Sequence, residues 1–170
     1  MSYIIRPAGE ADLDALIPMF STYLGSLGGL GMRYTPHYEG VPDLLRSRVR
    51  SKRALLAVAE EAGAVLGFIC VSLARMSSEY LCEGEGGVIG HVDDIYVAPE
   101  CRKRGIAAAL AGFAEQWLSE AGVRAVQLHA LFENPVGTAF WRKQGMEPMS
   151  ALCYKKLNAP QEQKNTEVLP

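Results

Sequence analysis

The stretch IYVAPECRKRGIAAAL, residues 95–110, decides the fold prediction. Its apolar start predicts a strand, its basic middle a turn, and its small residues from Gly105 onward a helix. The first N–H groups of a helix lack partners inside it and, together with the helix dipole, bind anions. Arg102, Lys103 and Arg104 add positive charge at that point. The stretch therefore predicts a diphosphate site, with an ordinary basic turn before a packed helix as the alternative.

Hydrophobic periodicity predicts further strands and helices on both sides of this stretch. Glycine-rich residues 24–36 predict a loop, and Gly63 marks a hairpin turn. The element order predicts one mixed α/β domain over residues 1–157, followed by a polar tail over residues 158–170. The predicted strands are 3–6, 54–60, 65–73, 88–97, 123–131 and 149–157, and the predicted helices are 10–20, 41–52, 105–121 and 135–144.

The composition is that of a globular chain. Of 170 residues, 49% are apolar and 21% are charged, and the formal net charge is −2. This apolar content excludes disorder along the whole chain, and the lack of a basic excess argues against a nucleic-acid binder. No apolar run reaches about 18 residues, the length of a membrane-spanning helix. Residues 1–16 lack the pattern of a secretory signal.

The cysteines point to a reducing compartment. No pair has Cys-x-x-Cys spacing, and no nearby histidine completes a set of metal ligands. The sequence therefore predicts neither a zinc site nor a disulfide framework, and free thiols of this kind are typical of a cytoplasmic protein. The four residues are Cys70, Cys82, Cys101 and Cys153.

The basic loop also carries a family motif. Arg102-x-x-Gly105-x-Ala107 resembles the Q/R-x-x-G-x-G/A motif of the GNAT-superfamily N-acetyltransferases, and residues 95–100 resemble the family's strand before that motif. The resemblance covers residues 3–157, and its matches occur in the family's order. Farther along, four residues match the spacing of the family's Asn-x6-Tyr-x3-Gly-Phe element: Asn134, Trp141, Gly145 and Met146.

The resemblance implies a mixed, mostly antiparallel sheet of six to seven strands flanked by four helices. It implies transfer of the acetyl group of acetyl-CoA, a cosubstrate used without a metal, to a primary amine of a small molecule or peptide. The amine would attack directly in a ternary complex. The alternative is a non-catalytic sensor or regulatory module that binds acetyl-CoA in the same fold. Many relatives pair as homodimers through their late strands, and neither nucleic acid nor membrane is implied as a partner.

The resemblance also implies where the cofactor binds. In the family, two neighbouring strands splay apart where the thioester lies. The main chain of Ile95 and Val97 would pair with the pantetheine arm like an added strand, and the Val97 N–H would polarise the thioester carbonyl. The N–H groups of residues 102–108 would hold the pyrophosphate. The full set of cofactor-binding residues implied is Ile95, Tyr96, Val97, Arg102, Lys103, Arg104, Gly105, Ile106, Ala107, Ala108, Asn134, Phe140 and Trp141.

The acid that protonates the leaving thiolate is left open. The family often has a tyrosine on the late helix for this role, and Trp141 stands at that position here. An indole N–H has no accessible proton to donate to a thiolate. A hydroxyl elsewhere would then serve as the acid, with Tyr154 and Tyr96 as candidates. Otherwise the thiolate leaves unassisted, which a thiol pKa of about 8.5 allows.

The base that deprotonates the ammonium is also left open. Relatives that acetylate protein N-termini carry a glutamate five residues before the motif asparagine, where this chain has His129. A neutral histidine is a competent base near pH 7. Strand alternation would put His129 in phase with Leu131 and Glu133. Asp93 and Asp94 are rivals, and the same alternation predicts that they face opposite sides of the strand.

The charges fall in blocks that the total conceals. Residues 46–53, RSRVRSKR, are basic, whereas residues 79–94, EYLCEGEGGVIGHVDD, contain no Lys or Arg. An acidic rim at Glu79, Glu83 and Glu85 would attract a cationic acceptor such as a polyamine, an aminoglycoside or a basic peptide end. A solvated acidic loop is the alternative.

Overall fold

The computed structural model describes residues 3–75 and 87–157. Short 3-10 turns lie at Glu10–Asp12, Gly28–Leu30, Tyr38–Gly40 and Pro99–Cys101. The strands are β1 (Ile4–Pro7), β2 (Ala54–Glu61), β3 (Ala64–Arg75), β4 (Val88–Val97) and β5 (Val126–Leu128), and the helices are α1 (Leu13–Leu27), α2 (Val41–Arg50), α3 (Ile106–Glu120) and α4 (Pro135–Lys143).

The strands form one open sheet in the order β1-β2-β3-β4-β5. All neighbours are antiparallel except β4 and β5, which are parallel. The mixed architecture and the four helices confirm the predicted fold class, but the prediction of six to seven strands is wrong for the described residues, where the sheet has five.

The missing strand is the one predicted at 149–157, and β5 is shorter than the predicted 123–131. An apolar alternation produces a strand only where one of its faces becomes buried. The large side chains of Met149, Leu152, Tyr154 and Leu157 are all exposed, so no core holds this segment against the sheet.

Each face of the sheet buries its own core. Helices α1 and α2 cover one face, where Phe20 and Leu45 pack with Phe68 of β3. Helix α3 covers the other face, where Ile106 and Leu110 pack with neighbours from the strands. The segment predicted as a glycine-rich loop from residue 24 begins later than expected, because α1 continues to Leu27.

A β-bulge in β4 changes which side chains share a face. Cys70 of β3 lies opposite Asp94 and the next residue, Val71, lies opposite Val92, so Asp93 is an extra residue in β4. A bulge of this kind turns two successive side chains to one side. Asp93 and Asp94 therefore both face α1 and α2, and the prediction from plain alternation that they face opposite sides is wrong.

Candidate active site

The sheet opens along the second half of β4. Strand β5 pairs with β4 only at Gly90, His91 and Val92. From residue 93 to residue 97, the described part of the chain places no strand on this side of β4. The N–H of Ala98 donates to Leu66 O of β3 at 3.0 Å, so alternation turns the N–H groups of residues 95 and 97 to the open edge.

The open edge leads into the N-terminus of α3. Gly105 is the N-cap of α3 and has a φ of 79°, a left-handed conformation that glycine adopts without strain. A glycine has no side chain to accept from the first N–H groups, and the N-cap makes no side-chain hydrogen bond. In the first turn of α3, Ile106 is buried, Ala107 is half-buried and Ala108 is exposed, so the two alanines present only methyl groups there. The first N–H groups of an uncapped helix can bind an anion, and the sequence predicts an anion site at this point.

The three positive side chains before α3 have different positions. Arg102 Nε donates to Val97 O at 3.0 Å, and its guanidinium lies 5.8 Å from the ring centroid of Tyr96. Arg104 donates to a carboxylate oxygen of Glu61 at 2.7 Å, and this hydrogen bond raises the pKa of Arg104. Lys103 is exposed. Arg102 therefore ties the loop to the end of β4, and Arg104 ties it to the β2–β3 hairpin.

The late helix presents the remaining predicted cofactor residues. Asn134 is the N-cap of α4, with its Oδ1 accepting from Gly137 N at 2.9 Å. The rings of Phe140 and Trp141 pack edge to face with centroids 4.8 Å apart. Trp141 also packs against the core on the α3 side of the sheet, which anchors α4 to that core.

A polar cluster lies on the face of β4 that α1 and α2 cover. Asp93 Oδ1 accepts from Ser72 Oγ at 3.0 Å and lies 2.9 Å from His91 Nδ1, and Asp93 Oδ2 lies 3.1 Å from Arg48 of α2. Burial alone would raise the pKa of Asp93, but its contacts with His91, Arg48 and Ser72 outweigh burial and hold that pKa below its usual value. Asp93 is therefore a firmly ionised carboxylate.

Asp94 has a different environment. Burial raises its pKa, the charge of Asp93 adds to this effect, and a hydrogen bond with Tyr23 of α1 opposes it. Burial also raises the pKa of Tyr23, so the hydroxyl stays protonated and donates to the carboxylate. Burial raises the pKa of the neighbouring Cys70 thiol to about 12, which leaves that thiol unreactive.

Comparison with known proteins identifies the family of this site. A sequence profile described as "Acetyltransferase (GNAT) family" matches residues 26–146. This match spans well over half of the chain and includes both the open β4 edge and the uncapped N-terminus of α3. The chain belongs to the GNAT acetyltransferase family. It is therefore an acetyl-CoA-dependent acetyltransferase, as the sequence resemblance implies.

Relatives of this GNAT protein match nearly its whole length. An uncharacterized N-acetyltransferase of Bacillus subtilis (strain 168), YhfO, is 22% identical over 160 residues, which are 92% of this chain and 97% of the relative. The fold is similar to that of the aminoglycoside 6'-N-acetyltransferase AAC(6')-IG of Acinetobacter haemolyticus, with a TM-score of 0.72, 20% identity, and coverage of 92% and 99% of the two chains. It is also similar to a predicted acetyltransferase of Clostridium acetobutylicum solved with acetyl-CoA, with a TM-score of 0.73, 16% identity, and coverage of 92% and 96%.

The structure brings some of the predicted catalytic residues of this GNAT protein together and separates others. Asp93 and Asp94 lie side by side, and the exposed His129 ring lies 5.5 Å from the His91 ring. Because β5 ends at Leu128, strand alternation does not apply to His129 and the residues after it. Tyr154 lies apart from this cluster, with its ring edge to face with that of Tyr34 at 5.5 Å.

Sequence reasoning missed four members of the polar cluster: Tyr23, Arg48, Ser72 and His91. His91 and Asp93 share a strand face at a spacing of two, which is a signal present in the sequence. No such signal exists for Arg48 and Tyr23, because helices distant in sequence carry them to β4.

In the described residues, no group of three or more His, Cys, Asp or Glu could hold a metal ion. No helix within 3–75 or 87–157 is long and apolar enough to cross a membrane.

Proposed function

We propose that this GNAT protein transfers the acetyl group of acetyl-CoA to a primary amine, by direct attack in a ternary complex. The observation that carries the proposal is the open edge of β4, which the short turn and basic loop of residues 98–104 join to the uncapped N-terminus of α3. An extended arm can hydrogen-bond to the first feature as an added strand. A diphosphate can bind at the second.

The residues present fit acetyl-CoA. The main-chain groups of Ile95 and Val97 would hold the pantetheine arm. Between them in sequence lies Tyr96, whose ring packs beneath the Arg102 guanidinium. The N–H groups of residues 102–108 would bind the pyrophosphate, with Lys103 and Arg104 adding charge and Gly105, Ile106, Ala107 and Ala108 leaving room. Because Asn134 uses its Oδ1 as a helix cap, its Nδ2 is the group that would donate to the pantetheine. Phe140 and Trp141 would form the wall on the α4 side.

The acceptor amine would enter from the side of α1 and α2. Two carboxylates face this side at the bulge, which favours a cationic acceptor. The candidate bases predicted from the sequence are Asp93, Asp94 and His129, and Tyr154 is the candidate acid. The acidic rim predicted at 79–85 lies outside the described residues. One structural neighbour is named as an aminoglycoside 6'-N-acetyltransferase, and aminoglycosides are among the cationic acceptors considered.

The cofactor site is tested by placing a charge in the first turn of α3. Ala108→Glu adds an acidic side chain where it stabilises a helix, so the fold should persist. The same charge repels a diphosphate, and we expect acetyl-CoA to bind at least about tenfold more weakly. Ala108→Gln, of matched size and without charge, should bind within about threefold of the wild type. Binding is measured by calorimetry, and equal affinity of the Glu variant and the wild type would refute this site.

The reaction is tested by thiol release from acetyl-CoA with a panel of amines. We expect release with cationic primary amines above the rate of hydrolysis without an amine. A preference for neutral or acidic acceptors would refute the proposed acceptor class. Binding of acetyl-CoA without thiol release for any amine would instead identify the non-catalytic sensor or regulatory module.

A further inference from the structure

His91 is oriented as a proton acceptor by the carboxylate beside it. Its Nδ1 lies 2.9 Å from Asp93 Oδ1, and Ser72 and Arg48 fix the other positions around that carboxylate. An ionised carboxylate only accepts hydrogen bonds, so Nδ1 carries the proton. In the neutral ring, Nε2 then holds the lone pair and points away from Asp93. A base held by an orienting carboxylate is the arrangement that catalytic histidines use.

The position of His91 suits a reaction at the splay. It lies opposite Gln127 in the last paired stretch of β4 and β5, one residue before the pairing ends. Its side chain is 20% exposed and faces the side of the sheet on which Asp93 and Arg48 lie. The ring of His129, which is exposed, lies 5.5 Å away.

We propose that His91, oriented by Asp93, accepts the proton of the incoming ammonium, and that His129 passes this proton to solvent. The inference rests on the proposed acetyl transfer and goes beyond it, because it assigns the base to a residue outside the sequence-predicted set. Asp93 thereby becomes a positioning residue rather than the base itself.

His91 Nε2 takes one proton from R–NH3⁺, which leaves a neutral amine with a free electron pair. The nitrogen forms a bond to the thioester carbonyl carbon, the carbon–sulfur bond breaks, and the sulfur leaves with its electron pair. The thiolate takes the second proton from nitrogen and becomes the CoA thiol. His91 returns its proton through His129, so the net products are an amide, a thiol and one proton.

The groups around His91 support this assignment. Arg48 of α2 and Ser72 of β3 hold Asp93 ionised, so the orienting charge persists at neutral pH. Asp94, beside Asp93 on β4, instead faces Tyr23 of α1, with which it forms a hydrogen bond. The remaining titratable neighbours are Cys70 of β3, whose thiol stays protonated, and His129 after β5.

The test compares His91→Gln with His37→Gln, a matched substitution at an exposed histidine of another loop. We expect His91→Gln to lower kcat about 100-fold, the scale of general-base catalysis. The acidic limb of the pH–rate profile should disappear, while acetyl-CoA affinity by calorimetry is unchanged. His37→Gln should keep both kcat and the limb. Asp93→Asn should lower kcat about tenfold or more, because the amide permits the wrong tautomer.

A second readout does not depend on how the variants fold. Nitrogen NMR of the wild type with acetyl-CoA should show the His91 ring protonated on Nδ1 at neutral pH. The inference is overturned if the proton resides on Nε2, if His91→Gln keeps kcat and the acidic limb, or if the limb disappears only in Asp94→Asn or His129→Gln. A wild type that binds acetyl-CoA but acetylates no amine would refute the proposed function, and the role of His91 falls with it.

Discussion

The two sides of β4 are built in different ways. The proposed cofactor side uses the backbone of one continuous stretch, residues 95–108, with N–H groups at the open edge and at the N-terminus of α3. The polar cluster on the other side uses side chains from separate elements, with Arg48 from α2, Ser72 from β3, and His91 and Asp93 from β4. Backbone sites follow from local sequence, whereas side-chain clusters depend on long-range packing. A substitution on one side should therefore leave the properties of the other side unchanged.

The largest expected effect is on the cofactor side, at Gly67 of β3. A Cβ at this position would lie 2.6 Å from Tyr96 O and 3.0 Å from Val97 Cα, so β4 would have to move. We expect Gly67→Ala to lower the free energy of unfolding by about 3 kcal/mol, as overpacking does, and to weaken acetyl-CoA binding. Denaturant unfolding and calorimetry measure the two effects.

Gly90→Ala is the matched control on the paired half of β4. Its Cβ would meet Leu118 Cδ1 at 2.7 Å, which is a side-chain atom rather than the backbone of a neighbouring strand. We expect a smaller loss of stability and little change in acetyl-CoA binding. Equal losses in both variants would show that the open edge is no more rigid than the paired half.

The next effect is on the polar cluster. Arg48→Met leaves Asp93 without its cation, and because the pair is only partly exposed we expect a loss of about 2 kcal/mol in unfolding free energy at pH 7. Arg46→Met, which breaks a more exposed pair with Asp43 on the same helix, should cost under about 1 kcal/mol. Acetyl-CoA affinity should be unchanged in both variants. A changed affinity in Arg48→Met would show that the two sides of β4 are coupled.

The loss in Arg48→Met should also depend on pH. The folded-state pKa of Asp93 lies below its usual value, so the stability it contributes is full above about pH 4, the unfolded pKa. This contribution is lost as pH falls through the folded-state pKa. The difference between the wild type and Arg48→Met should therefore shrink in acid, and a difference that stays constant down to pH 3 would contradict this explanation.

The smallest expected effect has the opposite sign. Burial raises the pKa of Asp94, so holding this carboxylate ionised at neutral pH costs free energy. Asp94→Asn removes the charge and keeps an acceptor for Tyr23, and we expect the unfolding free energy at pH 7 to rise by about 1 kcal/mol. The gain should vanish in acid, where the wild-type carboxyl is already protonated. Thermal unfolding across pH checks this, and destabilisation at pH 7 would contradict it.

The sequence predicts the two sides unequally for physical reasons. The basic turn, Gly105 and the small residues after it specify a strand–turn–helix unit locally, so that prediction needs no partner elements. The bulge at Asp93 leaves no local mark, because the register between β3 and β4 decides it. The strand predicted at 149–157 is wrong for a related reason, since the alternation around Leu152 predicts a strand but no element of residues 3–75 or 87–157 buries it.

The bulge also determines which face each later side chain of β4 occupies. Upstream of Asp93, even-numbered side chains such as Val92 face α3, whereas downstream even-numbered ones such as Tyr96 face α1. Deleting one residue here would reverse the alternation of the side chains that follow. Ile95 and Tyr96 would then each point into the core on the wrong face of the sheet. Insertions and deletions should thus be excluded at this point of the chain even where individual substitutions are accepted.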